Sequence, residues 1–165
     1  MFREMRRSGQ QLAPEECSAV LERGTSGVLS LLGDGGYPYG VPLSYVFRDG
    51  VFYFHCAVAG HKLDAVRRES RASFCVIDQD QVLPEKYTTV YRSVIAFGRM
   101  EVVEGLEEKL AAILLLADKY SPDQPAEDTR KEIEGAFART TVLKLTAEHI
   151  TGKEGIELTR QRERK

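Results

Sequence analysis

The sequence predicts a mainly β domain of α+β class, an antiparallel barrel or sandwich of about six strands with a few peripheral helices. Three observations carry this. Short apolar or alternating runs of strand length recur between turn signals. An Asp-Gly pair, Asp49-Gly50, separates two such runs, which is the pattern of a hairpin. The helical patterns do not alternate regularly with the strands, which disfavours a doubly wound parallel sheet. A chain of 165 residues supplies one domain with one sizeable core, since a domain near this size buries roughly 70% of the surface its unfolded form exposes.

The elements follow in order. Residues 1–26 form an N-terminal arm with one short helix, opened by Pro14 at its first position and Glu15 and Glu16 in its first turn. Residues 28–32 are a short apolar strand closed by Gly33-Asp-Gly-Gly36. In 41–47, Val41, Leu43, Tyr45 and Phe47 alternate with Pro42, Ser44 and Val46, and 51–57 returns as the hairpin partner. A short helix over 63–69 precedes strands at 72–77 and 88–103, the second long enough for Gly98 to mark a bend or bulge. Leu106, Leu110, Ile113, Leu114 and Ala117 trace the apolar stripe of a longer helix, and Ser121-Pro-Asp-Gln-Pro125 stops it. A further helix covers 126–138, with Ile133 and Phe137 one turn apart, and 141–145 is a late strand. Residues 157–165 are expected to be a flexible tail on this single domain.

Composition excludes several functions. The formal charge of −2 and pI near 6.0 leave no excess of Lys and Arg for duplex DNA, though a local basic pocket for one phosphate stays open. Three cysteines, Cys17, Cys56 and Cys75, with no C-x-x-C, disfavour a disulfide framework and a zinc site and fit a reducing compartment. The basic N-terminus lacks an apolar segment behind it, and the longest apolar run, 111–117, is too short to span a bilayer. The expectation is a cytoplasmic protein without membrane or nucleic-acid partners. Asp78, Asp80 and Glu85 match no calcium-loop spacing and are expected in a solvated turn.

Two stretches hold the candidate chemistry. Gly36-Tyr-Pro-Tyr-Gly-Val-Pro-Leu-Ser-Tyr45 places Pro42, which has no N–H, inside an alternating run. Such a strand either faces a planar ligand with its backbone and Ser44, or is an edge where proline blocks further pairing. In Phe54-His-Cys-Ala-Val-Ala-Gly-His-Lys-Leu63 a strand ends and a helix begins near Gly60. Free N–H groups at a helix start, beside His61 and Lys62, suit an anion; a plain strand–helix turn is the alternative. His55 follows the strand alternation and can equally be a half-buried histidine. The hairpin pairs the two stretches, so a flat ring beside the first and a phosphate at the second would describe a single ligand.

These residues carry a family resemblance. Gly36–Tyr45, Phe52-Tyr-Phe-His55, Gly60-His-Lys-Leu-Asp64 and Thr151-Gly-Lys-Glu154 together resemble the nitroimidazole-resistance (Nim) family, within the FMN-binding split-barrel superfamily of pyridoxamine-phosphate-oxidase-like proteins, over roughly residues 3–156. The resemblance implies a six-stranded, Greek-key-like split barrel and a homodimer with FMN at its interface. It implies that Pro42, Leu43, Ser44 and Tyr45 line the flavin ring and that His61 and Lys62 meet the phosphate. Arg92 and Ser93 would complete the site, and Gly152 and Lys153 would approach it from near the C-terminus. Cys56 departs from the small glycine usual after the histidine.

The implied activity is flavin-dependent reduction of a small molecule, nitroimidazole-reductase-like, with NAD(P)H as donor. The ring supplies the redox chemistry and the protein supplies position and electrostatics. His55 and His61 are the candidate catalytic residues. Haem or deazaflavin F420 on the same fold, or a flavin-binding carrier or sensor without turnover, are the alternatives. A barrel this small is filled by its own side chains, so a cofactor must lie outside it, where a second copy can cover it.

Overall fold

The structure, a computed structural model, describes residues 2–162 and 164. It is a single antiparallel ladder of seven strands with five α-helices around it. The strands are β1 (Ser26–Leu32), β2 (Pro38–Ser44), β3 (Val46–Arg48), β4 (Val51–Ala57), β5 (Arg71–Leu83), β6 (Thr88–Val102) and β7 (Thr140–Glu154). The helices are α1 (Pro14–Arg23), α2 (His61–Arg68), α3 (Leu106–Tyr120), α4 (Ala126–Ala136) and α5 (Ile156–Arg162). The mainly β, α+β expectation therefore holds, with seven strands in place of six. The ladder runs β2-β1-β5-β6-β7-β4-β3, and every pairing in it is antiparallel.

The seventh strand arises at Tyr45. The run expected as one strand breaks there: β2 pairs with β1 at one edge of the ladder, and β3 pairs with β4 at the other. The ladder is open, and its two edges are consecutive pieces of chain one residue apart. The hairpin at Asp49-Gly50 forms as expected, with both residues at positive φ (51° and 81°). That is the turn whose twist matches the flanking strands.

The core is filled by its own side chains. Tyr45, Phe52, Phe54 and Phe74 are fully buried, and Phe74 meets the other three edge-on at centroid distances of 4.9 to 5.4 Å. Edge-to-face packing satisfies the ring quadrupoles and leaves no cofactor-sized interior.

Several boundaries differ from expectation. β5 extends past a bulge at Asp78, and β7 runs nine residues beyond the expected Leu145. Both extensions are polar and are held by the cross-strand ladder with β6 rather than by apolar alternation. The irregularity at Gly98 is present, with the extra residue, Glu148, on β7. A side chain at Gly98 would collide with the Thr146 carbonyl. The expected tail is a helix over Ile156–Arg162, with Leu158 and Thr159 buried. Residues 163 and 165 of that expected tail, and Met1 of the expected arm, lie outside the described residues.

Candidate functional site

The break at Tyr45 brings the two candidate stretches together. Ser44, the last residue of β2, and His55 of β4 come to the same groove. Both side chains are exposed, and both line a groove of about 490 Å³ roofed by α3 and α4. Tyr120, Glu132, Ile133 and Phe137 form the rest of its character: largely apolar, with a few polar groups. That is the composition of small-molecule sites.

The start of α2 lies just beyond His55. Gly60 has φ of 137°, a conformation open to glycine and strained for other residues. No side chain caps α2, so the first N–H groups, those of His61, Lys62 and Leu63, have no intrahelical acceptor. The His61 ring stacks on Tyr39 at 4.2 Å with an 18° tilt, and its Nε2 lies 3.5 Å from Asp34 Oδ2. Lys62 is half-buried, and among the described residues no carboxylate is within ion-pair reach of it. Its charge is felt at Cys56: burial pushes that thiol up, and Lys62 pulls it the other way. Cys56 itself packs against the core, which makes it filler rather than a group presented to a ligand.

The remaining expected residues divide by strand parity. Arg92 points to the inner face, where it bonds Asp78 (3.3 Å) and the buried Glu154 (3.1 Å). Arg23 completes a two-pronged contact with Asp78 at 2.7 Å, and Arg162 reaches Glu154 at 3.4 Å. Burial opposes ionisation of Asp78, but the Arg23 and Arg92 bonds outweigh it and hold its carboxyl below the usual range. Asp78 is therefore a half-buried ion-pair partner on β5, and the expectation of a solvated turn is corrected for it. Gly152 is buried on the same inner face, where a Cβ would stand 2.6 Å from Cys17 Sγ and 2.7 Å from Leu12 Cδ1. Arg92 and Gly152 thus make interior contacts within this chain. The Tyr45 ring is fully buried, its hydroxyl donates to the Leu21 carbonyl, and burial raises its pKa strongly. Leu43 packs on the core through its side chain and can offer a ligand only backbone.

Ser93 and Lys153 face outward and are cross-strand partners. They are not brought to Lys62 within one chain, because Lys153 and Thr140, beside Ala57, lie near opposite ends of β7, about 40 Å apart along the strand. They belong to an outer face whose ladder rows read Pro42–Val28–Cys75–Ile95–Thr151 and Gly40–Ser30–Ser73–Phe97–His149. Small and apolar residues dominate these rows, and Val28, Ile77 and Phe97 are 38%, 65% and 36% exposed. A solvated face of an antiparallel sheet is ordinarily polar. Of the three histidines, His61 stacks on Tyr39 and His149 on Phe2, while His55 lines the groove with no aromatic stacking partner among the described residues.

Fold and site together define an antiparallel, open-ladder protein with an uncapped helix start beside Tyr39 and a separate, largely apolar groove under α3 and α4. The sequence matches the pyridoxamine 5′-phosphate oxidase family model over residues 13–154, and the chain belongs to that family. Solved structures agree in fold. A proposed 5-nitroimidazole antibiotic resistance protein from Bacteroides thetaiotaomicron superposes with TM-score 0.75 at 19% identity, covering 87% of this chain and 86% of that one. A FAD-binding protein from Mesorhizobium loti matches at 25% identity and TM-score 0.61, covering 88% and 96%. A FAD- and haem-binding protein from Mycobacterium smegmatis matches at 24% and 0.73, covering 88% and 73%. No curated protein matches the sequence. No helix among the described residues is long and apolar enough to cross a membrane.

Proposed function

We propose that the protein is a homodimeric FMN-binding protein that reduces a small molecule, nitroimidazole-reductase-like, with NAD(P)H as electron donor. The observation that carries this is the uncapped α2 start, where Lys62 has no carboxylate within ion-pair reach among the described residues, on the outside of a family fold whose core is filled by its own side chains. Membership of the family and the FAD-binding Mesorhizobium loti protein support the flavin reading.

The residues present fit the group. Lys62 and the amides of His61 and Lys62 would hold the phosphate, where charge-assisted bonds are strongest. Pro42, Ser44 and the free edge of β2 would lie along the ring, since β2 has a strand partner on one side only. Held there, a flavin would supply the hydride and electron chemistry between a reduced nicotinamide and an acceptor. The chain's own part is positional. His55, exposed in the groove and without an aromatic stacking partner among the described residues, can orient the acceptor or give it a proton. Ser93 and Lys153 would reach the ring region from the second copy, whose docking would cover the apolar outer face.

The test is the absorption spectrum and ligand mass of the purified protein, with FMN and FAD titrated into stripped protein and the oligomer measured by sedimentation. A flavin spectrum, FMN mass, a dimer and bleaching by NADH or NADPH without oxygen are expected. Failure to bind either flavin at micromolar concentration would overturn the reading.

A further inference from the structure

The strand break creates a problem that one side chain solves. At Tyr45 the chain leaves β1 as partner and has not yet joined β4, so its own N–H and C=O have no ladder partner. Buried backbone groups cannot be left in that state without cost. The hydroxyl of Tyr120, the last residue of α3, fills the gap. It accepts the Tyr45 N–H at 2.8 Å, and lies 2.8 Å from the Tyr45 carbonyl and 2.5 Å from the Thr25 carbonyl. A hydroxyl has one proton and can donate to only one of those carbonyls at a time. A single atom therefore ties the segment entering β1, the break itself and the end of α3. The same tyrosine lines the groove, and it is 38% exposed. Its neighbour Lys119 supports the junction separately, donating to the Gly24 carbonyl and lying 4.2 Å over the Tyr45 ring.

We propose that Tyr120 is a positioning residue of the candidate site, closing the seam at Tyr45 and thereby holding Ser44 at the groove it shares with His55. Ser44 is paired with Ser26 of β1 on one side and bonded directly to Tyr45 on the other, so the Tyr120 contact secures the end of β2 that the ladder leaves open. The inference rests on the reading that Ser44 and His55 face the bound flavin. It also predicts that what fills the groove presses on the ring of the residue that closes the seam.

The experiment compares wild type, Tyr120→Phe and Lys119→Met. Tyr120→Phe keeps the ring and removes the hydroxyl. Lys119→Met disturbs the same corner without touching the Tyr45 amide, and controls for general destabilisation. Amide hydrogen exchange at Tyr45 and Val46 is read with the FMN dissociation constant and the visible spectrum of the bound flavin. In Tyr120→Phe the Tyr45 amide should exchange roughly tenfold faster or more, as expected when a buried donor loses its partner. FMN affinity should fall and the spectrum shift, whereas Lys119→Met should leave both unchanged at a comparable loss of melting temperature. Unchanged Tyr45 exchange, or an unchanged flavin spectrum and affinity in Tyr120→Phe, overturns the proposal. If Tyr120→Phe does not fold, the same spectral change in Lys119→Met would overturn it by showing that any weakening of the corner suffices. A wild type that binds no flavin would defeat the functional reading, while the exchange comparison would still decide whether Tyr120 closes the seam.

Discussion

The two ends of β7 use similar residues for opposite purposes. At the Glu154 end, Arg92, Asp78, Glu154, Arg23 and Arg162 pair with one another in an alternating chain around the buried Glu154. Towards the Thr140 end, Ser44 and His55 line a groove, and the α2 start carries His61 and Lys62 with its first N–H groups unpaired within the helix. Both ends look equally functional in one dimension, with basic residues beside glycines. Strand parity separates them: Arg92 and Gly152 fall on the inner face, and their neighbours Ser93 and Lys153 on the outer. A charge that is already paired in the interior is structural; one left open beside unsatisfied amides is available to a ligand.

That contrast can be broken most sharply at the buried end. Arg92→Ala leaves Glu154 with only the long contact to Arg162, and urea denaturation should show a loss on the order of 3 kcal/mol with FMN affinity unaltered. A comparable loss of affinity would mean the two ends are one site. Gly152→Ala forces a methyl against Cys17 and Leu12, and its unfolding free energy should fall by about 1–3 kcal/mol, again without effect on flavin. At the open end the pattern reverses. Lys62→Gln should weaken FMN roughly tenfold or more, leave riboflavin binding unchanged, and shift stability by less than about 0.5 kcal/mol. Equal losses for FMN and riboflavin would show that Lys62 does not meet the phosphate. The smallest effect concerns pH. Asp78 is held below its ordinary 3.8, so the stability it adds is present above that value and disappears as pH falls through the folded pKa. Thermal melts between pH 5 and 3 should show Asp78→Asn with a shallower decline than wild type.

Much of this was legible in the chain. Alternation and the Asp-Gly turn located β3 and β4, and Pro14 located the start of α1. The Gly60-His-Lys turn was recognisable as a helix start with spare donors. Other features were not. The polar half of β7 has no periodic signal, because its place comes from the ladder with β6. The tail helix α5 was hidden because a short charged segment has little helical stability alone and gains it by packing. Tyr120 and Tyr39 carried no signal beyond aromatic composition, since their partners are 75 and 22 residues away.

By itself the sequence determined the β-rich class, the hairpin, the helix start after Gly60 and a net charge of −2 with no excess of Lys and Arg. All are set by local propensity, by composition or by spacings of a few residues. Only the tertiary structure decided where the barrel breaks, which of two adjacent residues faces outward, and which side chain closes the gap. The reason is that a strand shows its two faces alternately, so a shift of one residue exchanges a buried ion pair for a ligand contact. The long-range ladder that fixes that parity is not written in any single stretch of chain.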